Sequence, residues 1–200
     1  MHEEILNPHV VHTFRAHRGE VVCADVSGAL LATGGGEGAL RLWRWRRSAG
    51  WLEAAGAPGA HRFGVTAARW TPSGALLASA GVDGAARIWT RELRQRRMLA
   101  APGATAARSL CWSGVRLLVG HDDGALCVWS PRRGTLLARL RPCEGSLHAL
   151  AALPSAALLL VACTTGTLKF FDLNGNNTQD VRQKRVQYTT TDSRTNSDTH

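Results

Sequence analysis

Four stretches of this 200-residue chain fall into one register when each is anchored on a glycine. The clearest are Leu30-Leu31-Ala32-Thr33-Gly34-Gly35-Gly36-Glu37-Gly38-Ala39-Leu40-Arg41-Leu42-Trp43 and Leu76-Leu77-Ala78-Ser79-Ala80-Gly81-Val82-Asp83-Gly84-Ala85-Ala86-Arg87-Ile88-Trp89. Arg116 to Trp129 and Leu158 to Phe171 run parallel to them. The anchors Gly38, Gly84, Gly124 and Gly166 lie 46, 40 and 42 residues apart, and an aromatic residue stands five positions after each. Aromatics make up 6% of the chain, so four hits in one slot have a chance probability on the order of 10⁻⁵. A chain built on such a period must stack its units, because one unit cannot bury its apolar face alone.

Each unit reads as a hairpin: an apolar run, a turn, and a second apolar run ending in the aromatic. Glu37-Gly38, Asp83-Gly84 and Asp123-Gly124 predict tight two-residue loops, where glycine supplies the positive φ at no steric cost. Further strands are expected upstream, at Val21 to Val26, Val65 to Trp70, Ala107 to Trp112 and Leu147 to Leu153. Others are expected downstream, at Trp51 to Ala57, Met98 to Ala101 and Thr135 to Leu140. Four strands per period of about 40 to 45 residues is the pattern of a β-propeller blade. The fold class is therefore all-β, with about four blades. Propellers close with about four to eight blades, and the expectation here is an incomplete ring whose open apolar edges favour self-association. Val10 to Phe14 is expected to pair beside the fourth blade as its missing outer strand.

Residues 10 to 173 resemble the WD-repeat propellers. In that family a blade is pinned by a His before its first strand, a hydroxyl in the second, an Asp at the hairpin turn and a Trp in the third. Here that pattern assigns a structural network to His17, Glu37 and Trp43 in the first unit and to His61, Asp83 and Trp89 in the second. It leaves Asp123 and Trp129 in the third and Phe171 in the fourth. Gly35 and Gly81 stand where the hydroxyl is expected, so no blade has a full network and the blades are expected to be less rigid than usual. Two passages, His61-Arg62-Phe63-Gly64-Val65 leading into Thr71-Pro72-Ser73-Gly74, and Glu144-Gly145-Ser146-Leu147, are similar to the N-terminal propeller of WD-repeat, SAM and U-box domain-containing proteins. That resemblance implies substrate recognition for a U-box-type ubiquitin ligase. Nothing in the 200 residues resembles a SAM bundle or a U-box, so catalytic recruitment is not implied for this chain.

The units are placed at 10–57, 58–101, 102–140 and 141–173, after an N-terminal extension at 1–9. From Asn174 the composition changes abruptly. Six Thr, four Asn and three Gln occur in 174–200, against one Asn (Asn7) and one Gln (Gln95) before it. That predicts a polar disordered tail. The acidic start Met1-His2-Glu3-Glu4 lacks the basic and apolar regions of a secretory signal, giving an intracellular expectation, cytoplasmic or nuclear. Five cysteines without a Cys-x-x-Cys pair suit neither a zinc site nor a disulfide framework and are expected as buried reduced thiols.

No catalytic residues, metal site or cofactor are expected. The histidines lack ligand-like spacing, Gly34-Gly35-Gly36 lies in a hairpin rather than opening a helix, and Asp122-Asp123 belongs to a turn. What remains is a scaffold that binds a protein partner. The alternative is a basic surface binding nucleic acid or an anionic membrane, since the net charge is +9 and all but Lys169 and Lys184 of the 24 basic residues are Arg. Arg46, Arg47, Arg94, Arg96, Arg97, Arg132 and Arg133 fall around the third-to-fourth strand connections, predicting a basic face for an acidic segment. Glu20, Glu37, Asp83, Asp122, Asp123 and Glu144 fall in the opposite loops.

Overall fold

The computed structural model describes residues 10, 12–153 and 157–173, all in strands, turns and loops. The N-terminal extension and the polar tail lie outside the described residues. Among the described residues fifteen strands form four antiparallel sheets, each a meander running outward from its inner strand. Blade 1 is β1 (Val21–Ser27), β2 (Leu30–Gly35), β3 (Leu40–Arg46) and β4 (Gly50–Ala57). Blade 2 is β5 (Val65–Trp70), β6 (Leu77–Gly81), β7 (Ala86–Trp89) and β8 (Gln95–Leu99). Blade 3 is β9 (Ala107–Ser113), β10 (Arg116–His121), β11 (Leu126–Ser130) and β12 (Thr135–Leu140). Blade 4 has three described strands, β13 (Leu147–Leu153), β14 (Leu158–Cys163) and β15 (Leu168–Asp172).

The glycine-anchored hairpins are three-residue loops rather than the two-residue loops expected. In blade 2 the Gly81 N–H donates to Ala85 O and the Gly84 N–H to Gly81 O, and the same pair of bonds recurs in the other three blades. A tight turn is thereby followed by one left-handed residue. Gly38, Gly84, Gly124 and Gly166 take that place with φ of 82°, 77°, 80° and 78°. The outer strand of blade 2 also differs, running Gln95–Leu99 instead of Met98 to Ala101. Leu93, at φ 55°, closes a tight turn with its N–H on Thr90 O, so pairing begins early at Trp89 and Gln95.

The core lies between sheets, because alternate residues of every strand face a neighbouring blade. Leu30, Ala32, Leu40 and Leu42 of blade 1 pack with Val65, Ala68 and Trp70 of blade 2. Ala78, Ala80 and Ile88 meet Ala107, Leu110 and Trp112 across the next seam. Leu118, Leu126 and Val128 meet Leu147, Leu159 and Phe171 across the third. The hairpin glycines belong to the same seams. A Cβ on Gly38 would strike the carbonyls of His61 and Phe63, one on Gly84 those of Ala104 and Thr105, and one on Gly124 those of Cys143 and Gly145. Each turn thus beds into the loop leading to the next blade's first strand. Blades adjoin in the order 1, 2, 3, 4, and the inner strands β1 and β13 do not pack together as neighbouring inner strands do.

The described residues of Val10 to Phe14 form no strand beside blade 4. Phe14 instead stacks on Trp43 of blade 1 at 4.6 Å between ring centroids, with His12 5.5 Å from Phe14. Trp43 offers this segment a large apolar partner close in sequence, with no long loop to close.

Candidate interaction site

Blades 1 and 2 hold complete networks, buried from the Trp to the His and reaching the surface at the turn carboxylate, contrary to the expectation of broken ones. Thr33 and Ser79, two residues before the glycines taken for the slot, supply the hydroxyls. In blade 2 the Trp89 indole N–H donates to Ser79 Oγ at 2.8 Å, Ser79 Oγ meets His61 Nε2 at 2.7 Å, and His61 Nδ1 lies 2.9 Å from Asp83 Oδ1. Trp can only donate and a carboxylate can only accept, so Ser79 donates to Nε2 and Nδ1–H to Asp83. Blade 1 repeats this with Trp43, Thr33, His17 and Glu37. Gly35 and Gly81 are required for another reason: a Cβ at either would collide with the imidazole of His17 or His61.

Burial presses the His61 imidazole below its ordinary value of 6.5, against the pull of Asp83, and the nearby Arg87 guanidinium adds to the depression. Burial would raise Asp83, but the His61 ring and the Arg62 and Ala85 N–H groups outweigh it and hold the carboxyl at about 2. Depressed histidine and carboxylate values act in one direction. The unfolded chain takes up protons first on acidification, so stability is full above about pH 6.5 and declines as pH falls through the folded value of His61, then again below 3.8. The melting temperature should drop when the buffer goes from pH 7.5 to 5.5; a rise would contradict this protonation state.

A cleft of about 830 Å³ opens between blades 2 and 3. Its apolar lining includes Pro72, Leu76, Ile88, Trp112, Val115 and Pro131, and Arg96, Arg97 and Arg132 also line it. The β5–β6, β9–β10 and β11–β12 connections share one end of the meanders, which brings these residues together. Trp112 is fixed by its indole N–H, which donates to Arg69 O of blade 2 at 3.0 Å. Of the seven arginines expected on a basic face, Arg96, Arg97 and Arg132 gather at the cleft. Arg46, Arg47, Arg94 and Arg133 are exposed on the strand ends and turns of that same end of their sheets. Ion pairs among the described residues leave Arg96, Arg97 and Arg132 unneutralised.

At the opposite end three of the carboxylates pair with arginines. Asp83 pairs with Arg87 at 2.8 Å, Asp122 with Arg108 at 2.7 Å and Asp123 with Arg139 at 3.3 Å. Arg108 lowers Asp122 below the usual carboxylate range.

The family model of the WD domain, G-beta repeat, matches residues 8–44 and 58–90. Blades 1 and 2 carry WD40 repeats. The chain is also similar to the crystal structure of the computationally designed Ika4 protein, with TM-score 0.71 and 19% identity over 81% of this chain and 96% of that one. For the computationally designed Ika8 protein the TM-score is 0.66 at 19% identity, over 79% of this chain and 47% of that one. Both likenesses concern the fold alone. No curated protein matches the sequence.

The WD40 pattern changes in blades 3 and 4 while its geometry persists. The loop position of His61 becomes Gly103 and the strand position of Gly81 becomes His121, so the imidazole arrives from the strand. His121 is buried, with Nδ1 3.0 Å from Thr105 O, and burial depresses its value too. Asp123 keeps the turn, bonded to Thr105 Oγ1 and the Ala125 N–H, and Trp129 is buried without a histidine partner. In blade 4 the two positions are Cys143 and Cys163, joined as a disulfide, while Phe171 fills the Trp slot and is buried. The expectation of five reduced thiols fails for this pair, because the blade register brings together cysteines 20 residues apart. Cys23, Cys111 and Cys127 are free, and burial raises all three, Cys23 and Cys127 to about 11.

Sequence reasoning missed Thr33 and Ser79, although each stands ten residues before its Trp. It also missed the cleft floor, whose Trp112 recurs with Trp70 at one inner-strand position outside the glycine-anchored window.

Proposed function

We propose that this chain is a protein-interaction scaffold whose cleft between blades 2 and 3 receives an acidic segment carrying an apolar anchor. The observation behind this reading is the apolar lining of Leu76, Ile88, Trp112 and Val115 beside unneutralised Arg96, Arg97 and Arg132. An apolar side chain fills such a slot while guanidinium groups grip carboxylates in two-point contacts. The test is titration with a labelled Asp/Glu-rich peptide bearing one Leu or Phe. Replacing Arg96, Arg97 and Arg132 together by Gln should weaken binding at least about tenfold without changing the melting temperature. Gln at Arg46, Arg47, Arg94 and Arg133 should chiefly slow association, since outlying charge steers encounter. Equal affinity in both variants would refute the cleft. A steep salt slope with an oligonucleotide and none with the peptide would favour the nucleic-acid reading instead.

A finer reading follows from the two passages at His61–Val65 and Glu144–Leu147. In it the chain recognises substrates of a U-box-type ubiquitin ligase. It would then compete with a full-length ligase for target but support no ubiquitin transfer by itself; transfer by this chain with activating and conjugating enzymes would reverse the assignment.

A further inference from the structure

Blades 1 and 4 expose the two halves of the junction that each internal seam closes. Toward the preceding blade, an inner strand presents the position of Trp70. There Trp70 is 6% exposed, whereas blade 1 has Val26 in the same slot at 56%. Val21 is likewise half exposed, where its counterparts Val65, Ala107 and Leu147 are buried. Toward the following blade, a third strand presents the position of Leu40. Leu40 and Leu126 are 0% exposed and Ala86 1%, but Leu168 of blade 4 is 61% exposed.

The turn contacts agree. Gly38, Gly84 and Gly124 each bed against carbonyls of the next loop, yet Gly166 meets nothing within 4 Å among the described residues. The matching loop before blade 1 offers the His17 carbonyl, which meets only the exposed Arg15 guanidinium among the described residues.

We propose that a second copy of this chain supplies the missing neighbour at both ends. Blade 4 of each copy docks on blade 1 of the other, closing two four-blade arcs into one ring of eight. The two end faces differ from each other and complement each other, so the contact is head-to-tail, and such contacts either close into rings or grow into filaments. Closure at eight blades lies within the range of propellers. The arc is similar in fold to 47% of the longer Ika8 chain, in keeping with its being part of a larger array.

The 200-residue chain in solution is expected to have twice the monomer mass across a dilution series. Val26→Asp and Leu168→Asp replace exposed side chains, so each variant should keep the wild-type circular dichroism. Each variant alone should be monomeric, because every head-to-tail contact needs one intact face of each kind. Mixing the two should restore a dimer through the intact blade 4 of the first and blade 1 of the second. A monomeric wild type would overturn the proposal and leave the faces to residues outside those described or to another protein. Open-ended polymers, or one variant that still dimerises alone, would overturn it equally.

Discussion

Trp89→Ala is expected to cost about 3 to 5 kcal/mol, the usual loss when a large buried aromatic is truncated. The indole is packed in the seam between blades 1 and 2 with Leu77, Trp70 and Leu93. Its removal also takes the donor from Ser79, in a network where Ser79 and His61 stay buried. Trp45 is the control. It is partly exposed and makes an edge contact with Trp51 at 5.4 Å, a pairing worth about 1 kcal/mol. Denaturant midpoints of the two variants should differ severalfold in their displacement from wild type. Equal displacements would mean that the third-strand aromatic does not occupy the buried slot.

The second large effect is expected at Cys143–Cys163. Cross-linking positions 20 residues apart restricts the unfolded chain and stabilises by about 3 kcal/mol on the chain-entropy account. Cys143→Ser combined with Cys163→Ser should lose that amount, and reductant should lower the wild-type midpoint but not that of the double variant. A thiol count in denaturant reads the bond directly: three reactive thiols without reductant, five with it. Five in both cases would show the pair open. Because this site and Trp89 lie in different blades, the two losses should add.

The all-β repeat was legible because turn glycines and strand aromatics answer to local geometry. A positive φ or a buried third-strand ring demands the same residue type each time. The seam network was less so. Thr33 and Ser79 are ordinary strand residues whose role depends on a histidine that reaches them from a distant loop, and counting outward from the glycine placed the hydroxyl two residues late. Cys143 and Cys163 were opaque for a related reason: their spacing matches no metal or disulfide motif, and only the register of β14 against the preceding loop puts them together. The cleft is a product of two blades, so no single unit contains its pattern. The Arg-rich segment suggested a charged face, while the apolar lining beside it came from Leu76, Trp112 and Val115 in other parts of the chain.

Blades that touch only their neighbours behave as a one-dimensional array, in which local strength depends on how many seams a unit shares. Blades 2 and 3 share two each within a chain; blade 4 shares one and has three described strands. The covalent bond falls in that least supported unit, at the position where blades 1 and 2 use an imidazole and blade 3 a strand histidine. An imidazole network ties a loop to a strand only while the surrounding seam excludes water. A sulfur–sulfur bond holds without that shelter, so the fraying expected at the end of such an array is checked where it would begin, and its release becomes a matter of redox potential rather than temperature alone.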